Sequence, residues 1–277
     1  MTSVQMRPLS DHVGVEATGL DLNTLDEASF TSLRDAVAEH GMLFLRDQSL
    51  TPEQHIAFAR RWGDIDVNKY FPANGGHPEI AEVRKAEQQK TNIGGGWHTD
   101  HSYDQVPAMG SILLARETPP TGGDTLFASL GAVFDSLSIG LQTTLRTLRA
   151  VHSADHIYSA DGIYAQTDIA SDLKGHAERT HAVHPAVIRH PRTGREILYV
   201  NPAFTLHFEG WTREESMPLL TYLYQVAMQD RFHCRVNWAP GSIAIWDNRS
   251  TWHHAMNDYH GHRRLMHRIT IAGEPLS

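Results

Sequence analysis

Apolar residues recur along the chain with two different periods, and the changes of period mark out its elements. In 26–40, Phe30, Leu33 and Val37 stand three and four apart and Gly41 follows, which predicts an amphipathic helix closed by a glycine. A short apolar strand is expected at 42–45. At Thr51-Pro52-Glu53-Gln54 a capping residue, a proline at the first helical position and a glutamine at the third coincide. A second helix should therefore carry Ile56, Ala59 and Trp62 towards Gly63. Strand-like runs are read at 13–22 (an opening strand pair), 80–83, 111–116, 234–238, 243–246 and 266–272, with helices at 129–138 and 141–148. Residues 186–190 and 196–200 flank Pro191-Arg192-Thr193-Gly194, a turn that predicts a hairpin. Thr212-Arg213-Glu214-Glu215 is a further capping box, and Pro218 requires its helix to be entered late or kinked. The stretch 155–179 has no firm periodicity and is expected to be a long functional loop or lid.

Composition narrows the class. The 277 residues are 40% hydrophobic and 20% charged, the profile of an ordinary globular chain. No repeat or Pro/Ser-rich linker divides them, so a single domain over 1–277 is expected. The formal charge of −8 and the lack of a basic block speak against nucleic acid as a partner. No apolar stretch is long enough to span a bilayer and the first residues lack a signal-peptide core, so no membrane association and a cytoplasmic location are expected. The lone Cys234 excludes an intrachain disulfide. Histidine, at 19 copies, is the unusual entry and invites a metal hypothesis, although surplus histidine alone is weak support.

The sharpest local feature is Trp97-His98-Thr99-Asp100. On a strand, His98 and Asp100 would share one face. One more histidine would complete a two-histidine, one-carboxylate triad that leaves coordination positions open. Taken alone, His-x-Asp arises often by chance, and an exposed polar strand face explains it equally well. Near the far end His253 follows a strand, and Arg264, Met266 and Arg268 would share one strand side. Two inward guanidinium groups need anions. The same alternation fits surface arginines on an edge strand.

Taken together, four motifs carry a resemblance: Trp97-His98-Thr99-Asp100, Pro119-Pro120-Thr121-Gly122-Gly123-Asp124-Thr125, Trp246-Asp247-Asn248-Arg249 with His253, and Asp258-Tyr259 with Arg263 to Arg268. From about Val13 to Pro275 the chain resembles the taurine dioxygenase-like iron(II)/2-oxoglutarate-dependent oxygenases, a family that includes alkylsulfatase and chlorophenoxyalkanoate dioxygenases. That resemblance implies a mainly β fold with flanking helices, the cupin-like jelly roll or double-stranded β-helix. It implies His98, Asp100 and His253 as ligands of Fe(II), with His254 one residue off the motif. Thr125 and Arg264 fall where the family holds the distal carboxylate of 2-oxoglutarate, and Arg268 where it holds the anionic group of the primary substrate. With O2, such an enzyme decarboxylates 2-oxoglutarate to succinate and CO2 while hydroxylating a substrate C–H. If the hydroxylated carbon bears a leaving group, the product then collapses.

The implied substrate is a small organic anion of sulfonate, alkyl sulfate or aryloxyalkanoate type. Taurine itself fits poorly, because the aligned histidine and tyrosine of the taurine enzyme are Asn68 and Phe71 here, and an asparagine before the first ligand is Gly94. Tyr103, Tyr158 and Phe204 are read as pocket residues suited to a larger anion, although plain core packing explains each as well. His101 is read as offering its backbone N–H. Two other classes compete: a zinc-dependent hydrolase on the same three ligands, for which no carboxylate base is marked, and a non-catalytic jelly-roll binding protein. The assembly state stays open, a homo-oligomer included.

Overall fold

The computed structural model describes residues 4–173 and 180–276. Its strands are β1 Gln5–Pro8, β2 Val15–Thr18, β3 Met42–Leu45, β4 Ile65–Asp66, β5 Ala73–Asn74, β6 His77–Lys85, β7 Gly110–Glu117, β8 Thr125–Ser129 and β9 Arg149–His152. They continue as β10 Ala182–Pro185, β11 Val187–Arg189, β12 Glu196–Leu198, β13 Thr205–Phe208, β14 His233–Val236, β15 Ile243–Asp247, β16 Thr251–Ala255 and β17 Arg264–Ile271. The helices are α1 Glu27–His40, α2 Pro52–Arg60, α3 Leu130–Ser136, α4 Ile139–Leu145, α5 Asp155–Tyr158 and α6 Arg213–Ala227. None of them is long and apolar enough to cross a membrane.

Period-two alternation builds the framework. The large sheet runs β1-β2-β3-β15-β7-β17-β6-β5, with β4 paired to β17, and a smaller sheet runs β14-β8-β16. One face of the large sheet presents Leu43, Leu45, Ile112, Leu114, Ile243, Ile245, Ile269 and Ile271 to Phe30, Leu33 and Val37 of α1, Ile56 of α2 and Trp62 just after it. The alternate residues Met42, Phe44, Leu113, Ala244, Trp246 and Met266 pack inward on Phe127, Cys234 and Val236 of the smaller sheet. Both long-sheet faces are thus buried, which is why β3 and β15 read as continuous apolar runs rather than alternating ones.

The stop at Gly41 and the capping boxes at Thr51 and Thr212 form as the sequence predicts, and Asp26 adds an N-cap to α1. Asp26 accepts from the Ser29 N–H at 2.7 Å, and Gly41 closes α1 at φ +71°. Thr51 with Gln54 and Thr212 with Glu215 each form a reciprocal capping box.

Several expectations are corrected. The opening strand pair is β1 with β2, the first strand lying before residue 13. Trp97 to Asp100 is not a strand: His98 makes one isolated bridge to His253. His253 follows the strand β15, as expected, and also stands within a strand of its own, β16. The α6 helix starts at Arg213 and continues through Pro218 without a late entry, giving up one backbone donor there. Of the 155–179 stretch, the described part contains α5 and two 3₁₀ turns, Ile163–Gln166 and Ala170–Asp172, and 174–179 lie outside the described residues.

Candidate active site

Pairing between distant segments, rather than spacing along one strand, assembles the candidate metal-binding group. His98 donates its backbone N–H to the His253 carbonyl (3.1 Å) and accepts from the His253 N–H (2.9 Å), so the two rings lie side by side with centroids 4.0 Å apart. Thr99 turns the other way, its hydroxyl donating to the Thr251 carbonyl at 2.9 Å. Asp100 therefore returns to the side of His98. One ligand atom from each of His98, Asp100 and His253 lies within 4.8 Å of the others, and all three residues are buried. The Gly96 carbonyl lies 2.7 Å from His98 Nδ1 and can only accept, so Nδ1 carries the proton and Nε2 presents its lone pair. Burial and the neighbouring His98 push the His253 pKa well below the usual imidazole value, which keeps that ring in the neutral, ligating form. This donor set can hold a divalent metal.

Both arginines face inward from β17, with Met266 between them in the core. Arg268 donates through Nη2 to Asp100 Oδ2 at 2.8 Å and is itself set by Ser111 Oγ at 2.8 Å from Nη2 and 3.1 Å from Nε. Burial works to raise the Asp100 pKa, but Arg268 and the two imidazoles outweigh it and hold the carboxyl well below its ordinary range. Arg264 has no such partner among the described residues: it is 5% exposed, and its buried Nε and Nη2 meet no hydrogen-bond acceptor there. Thr125 Oγ1 accepts from Trp238 Nε1 at 3.0 Å, which leaves its own proton free to donate. Thr125, Arg264, Arg268, His98, Asp100 and His253 line one cavity, whose apolar wall includes Phe71, Ile93, Leu113, Tyr158 and Trp246.

Of the six residues expected at the substrate, Arg268 lines the cavity, and the other five separate into three groups. Tyr158 lines the cavity, stacked on Tyr70 at 4.4 Å and 21°. Phe204 and Tyr103 lie one layer back: Phe204 meets the His98 ring edge-on at 6.2 Å and packs against Tyr103 at 4.8 Å. Asn68 and His101 are not brought to the cavity lining. Asn68 Oδ1 accepts from the N–H groups of Tyr70 and Phe71 in an Asx turn that delivers Phe71 instead. His101 sits at φ +60° with its Nδ1 2.8 Å from Asp104 Oδ2. Sequence reasoning missed Ile93, Leu113, Trp246 and the Ser111 brace. Trp246 had a signal, since it opens one of the quoted motifs.

Comparison with known proteins bears directly on this arrangement. The sequence pattern of the Taurine catabolism dioxygenase TauD, TfdA family matches residues 5–270. The chain belongs to that family. It is thereby a 2-oxoglutarate-dependent dioxygenase with a jelly-roll fold, as the sequence motifs indicate. This TauD/TfdA-family dioxygenase is 34% identical to the (S)-phenoxypropionate/alpha-ketoglutarate-dioxygenase of Sphingobium herbicidovorans over 98% of its own chain and 95% of that protein. It is 33% identical to the alkylsulfatase of Acinetobacter baylyi, over 98% of its own chain and 86% of the relative. Among solved structures, a taurine dioxygenase from Burkholderia xenovorans superposes with a TM-score of 0.82 at 33% identity, covering 98% of this chain and 92% of that one.

Proposed function

We propose that the TauD/TfdA-family site works with iron(II) held by His98, Asp100 and His253, and that it hydroxylates a C–H of a small organic anion. The observation that carries this reading is the pairing of a buried two-histidine, one-carboxylate set with a buried, acceptorless Arg264 in the same cavity. Two imidazoles and a carboxylate suit iron(II) and leave positions open for a chelating 2-oxo acid and O2. Bound there, iron supplies the redox chemistry by which 2-oxoglutarate, O2 and R–H become succinate, CO2 and R–OH.

The chain's own groups do the rest. Arg264 takes the distal carboxylate of 2-oxoglutarate through the donors that now lack partners, and Thr125 adds its free hydroxyl proton. Arg268 has two tasks: it keeps Asp100 ionised through Nη2, and it offers positive charge to the anionic head of the primary substrate. Phe71, Ile93 and Tyr158 wrap the body of that substrate and exclude water, and the 155–173 strap serves as the lid. A sulfonate, alkyl sulfate or aryloxyalkanoate meets these requirements, and relatives named for phenoxypropionate and alkyl sulfate chemistry support the class. A zinc hydrolase would leave Arg264 without a task.

The test is succinate formation from 2-oxoglutarate with iron(II) and O2 across a panel of these three anion classes. At least one class should stimulate succinate release with matched loss of the anion. Iron-independent consumption of the anion would overturn the proposal.

A further inference from the structure

Beside the Arg264 end of the cavity the interior holds a second buried cation. Lys85 ends β6 and stands directly opposite Arg264 in the ladder with β17. Val83, two residues earlier and on the same strand face, lines the cavity, so Lys85 and Arg264 share the inner face. Directly opposed residues bring their Cβ atoms to about 5 Å, where like charges repel. Lys85 is 1% exposed, and its Nζ has no hydrogen-bond partner among the described residues. Its ammonium rests on the Tyr259 ring, 4.3 Å from the centroid. Tyr259 and Arg264 both pack over Gly123, where an added Cβ would lie 3.3 Å from Tyr259 Cδ1 and 3.5 Å from Arg264 Cδ.

The carboxylates that act on this cluster are already engaged. Asp124 accepts from Arg235 Nε at 2.5 Å and Asn237 Nδ2 at 2.7 Å, Asp258 accepts from the Gly123 N–H at 2.7 Å, and Asp168 accepts from the backbone of Lys90 and Thr91. Two buried cations with orphaned donors are costly to the chain alone. An incoming carboxylate relieves both.

We infer that Lys85 is a positioning residue for the distal carboxylate of the co-substrate, its charge turning the Arg264 guanidinium into the cavity and adding to the potential that selects a dicarboxylate. The inference rests on the assignment of Arg264 and Thr125 to that carboxylate.

2-Oxopentanoate, which carries a methyl group where 2-oxoglutarate has its distal carboxylate, isolates the effect. Both acids are titrated into the iron(II)-loaded protein without oxygen, and dissociation constants are read by calorimetry. Lys85→Met is expected to weaken 2-oxoglutarate about three- to tenfold while 2-oxopentanoate changes by less than about twofold, and Lys85→Arg should restore most of the preference. Equal weakening of both acids, or no change in either, overturns the inference by making Lys85 merely structural. Lys85→Gln carries the same expectation should the methionine variant not fold. Arg264→Met, run in parallel, separates the two levels: a loss of preference there without one in the Lys85 variants sinks only the inference, whereas no loss in Arg264→Met sinks the underlying assignment.

Discussion

The two sides of the cavity are held in place by different means. On one side, Thr125, His253, Arg264 and Arg268 stand on β8, β16 and β17, His98 is bridged to β16, and Asp100, which lies on no strand, is held by Arg268 of β17. On the other, Phe71 follows an Asx turn, Ile93 lies in a loop and Tyr158 sits on the four-residue helix α5. That wall is tied by side chains: Asp155 to the Thr180 N–H at 2.7 Å, Tyr164 OH to the Gly94 N–H at 3.2 Å, and Asp172 to Arg84 at 2.8 Å. Such ties are partly exposed and singly weak, whereas a ladder opens only with its sheet. On the proposed assignment, the metal, 2-oxoglutarate and the substrate's anionic head are handled from the ladder-held side, and the substrate's body meets the adjustable one.

The largest break in this contrast should come from Asp100→Ala, which removes one of the proposed metal ligands and takes from Arg268 its carboxylate partner. Turnover should fall about a thousandfold or more, and bound iron, measured by metal analysis, should fall with it. Arg264→Met should raise the dissociation constant for 2-oxoglutarate about a hundredfold, since it truncates one partner of a buried charge pair. Binding titration checks this, and the primary substrate should be far less affected.

A third prediction concerns the scaffold alone. His55, between α2 and the large sheet, has its pKa lowered to about 3 by burial and by the nearby Arg116 and His267, and His152 is lowered to about 3 by burial and His184. Their ordinary value is 6.5, so between pH 6.5 and 3 the unfolded chain binds protons that the folded chain does not. Stability is thus fully present above about pH 6.5 and is lost as pH falls towards 3, each histidine costing about 2 kcal/mol by pH 5. Urea midpoints at pH 7 and 5 measure this, and His55→Leu should flatten the dependence. The smallest effect is expected on the adjustable side. Tyr158→Ala should raise the KM of the primary substrate about tenfold and leave 2-oxoglutarate binding unchanged.

What the sequence revealed follows the same division. Helix ends were legible because Asp26, Thr51 and Thr212 cap through neighbours three residues away. Arg264 and Arg268 could be placed on one strand side by counting. The role of β16 escaped notice because Thr251 to Ala255 becomes a strand only by pairing with β8, far earlier in the chain. The β1 strand is exposed throughout and offers no alternation to read. Ser111 gave no signal either, since it reaches Arg268 across 157 positions. The family motif places Asn68 at the substrate, whereas its oxygen is spent shaping the turn that presents Phe71.

The most direct test of the central claim is an anaerobic titration of iron(II) into the metal-free protein with 2-oxoglutarate, followed in the visible spectrum. The account predicts a charge-transfer band that saturates at one equivalent of iron, requires 2-oxoglutarate, and at the same co-substrate concentration is lost in Arg264→Met. Iron bound at one equivalent with no band, or a band unchanged in His98→Ala, would contradict it.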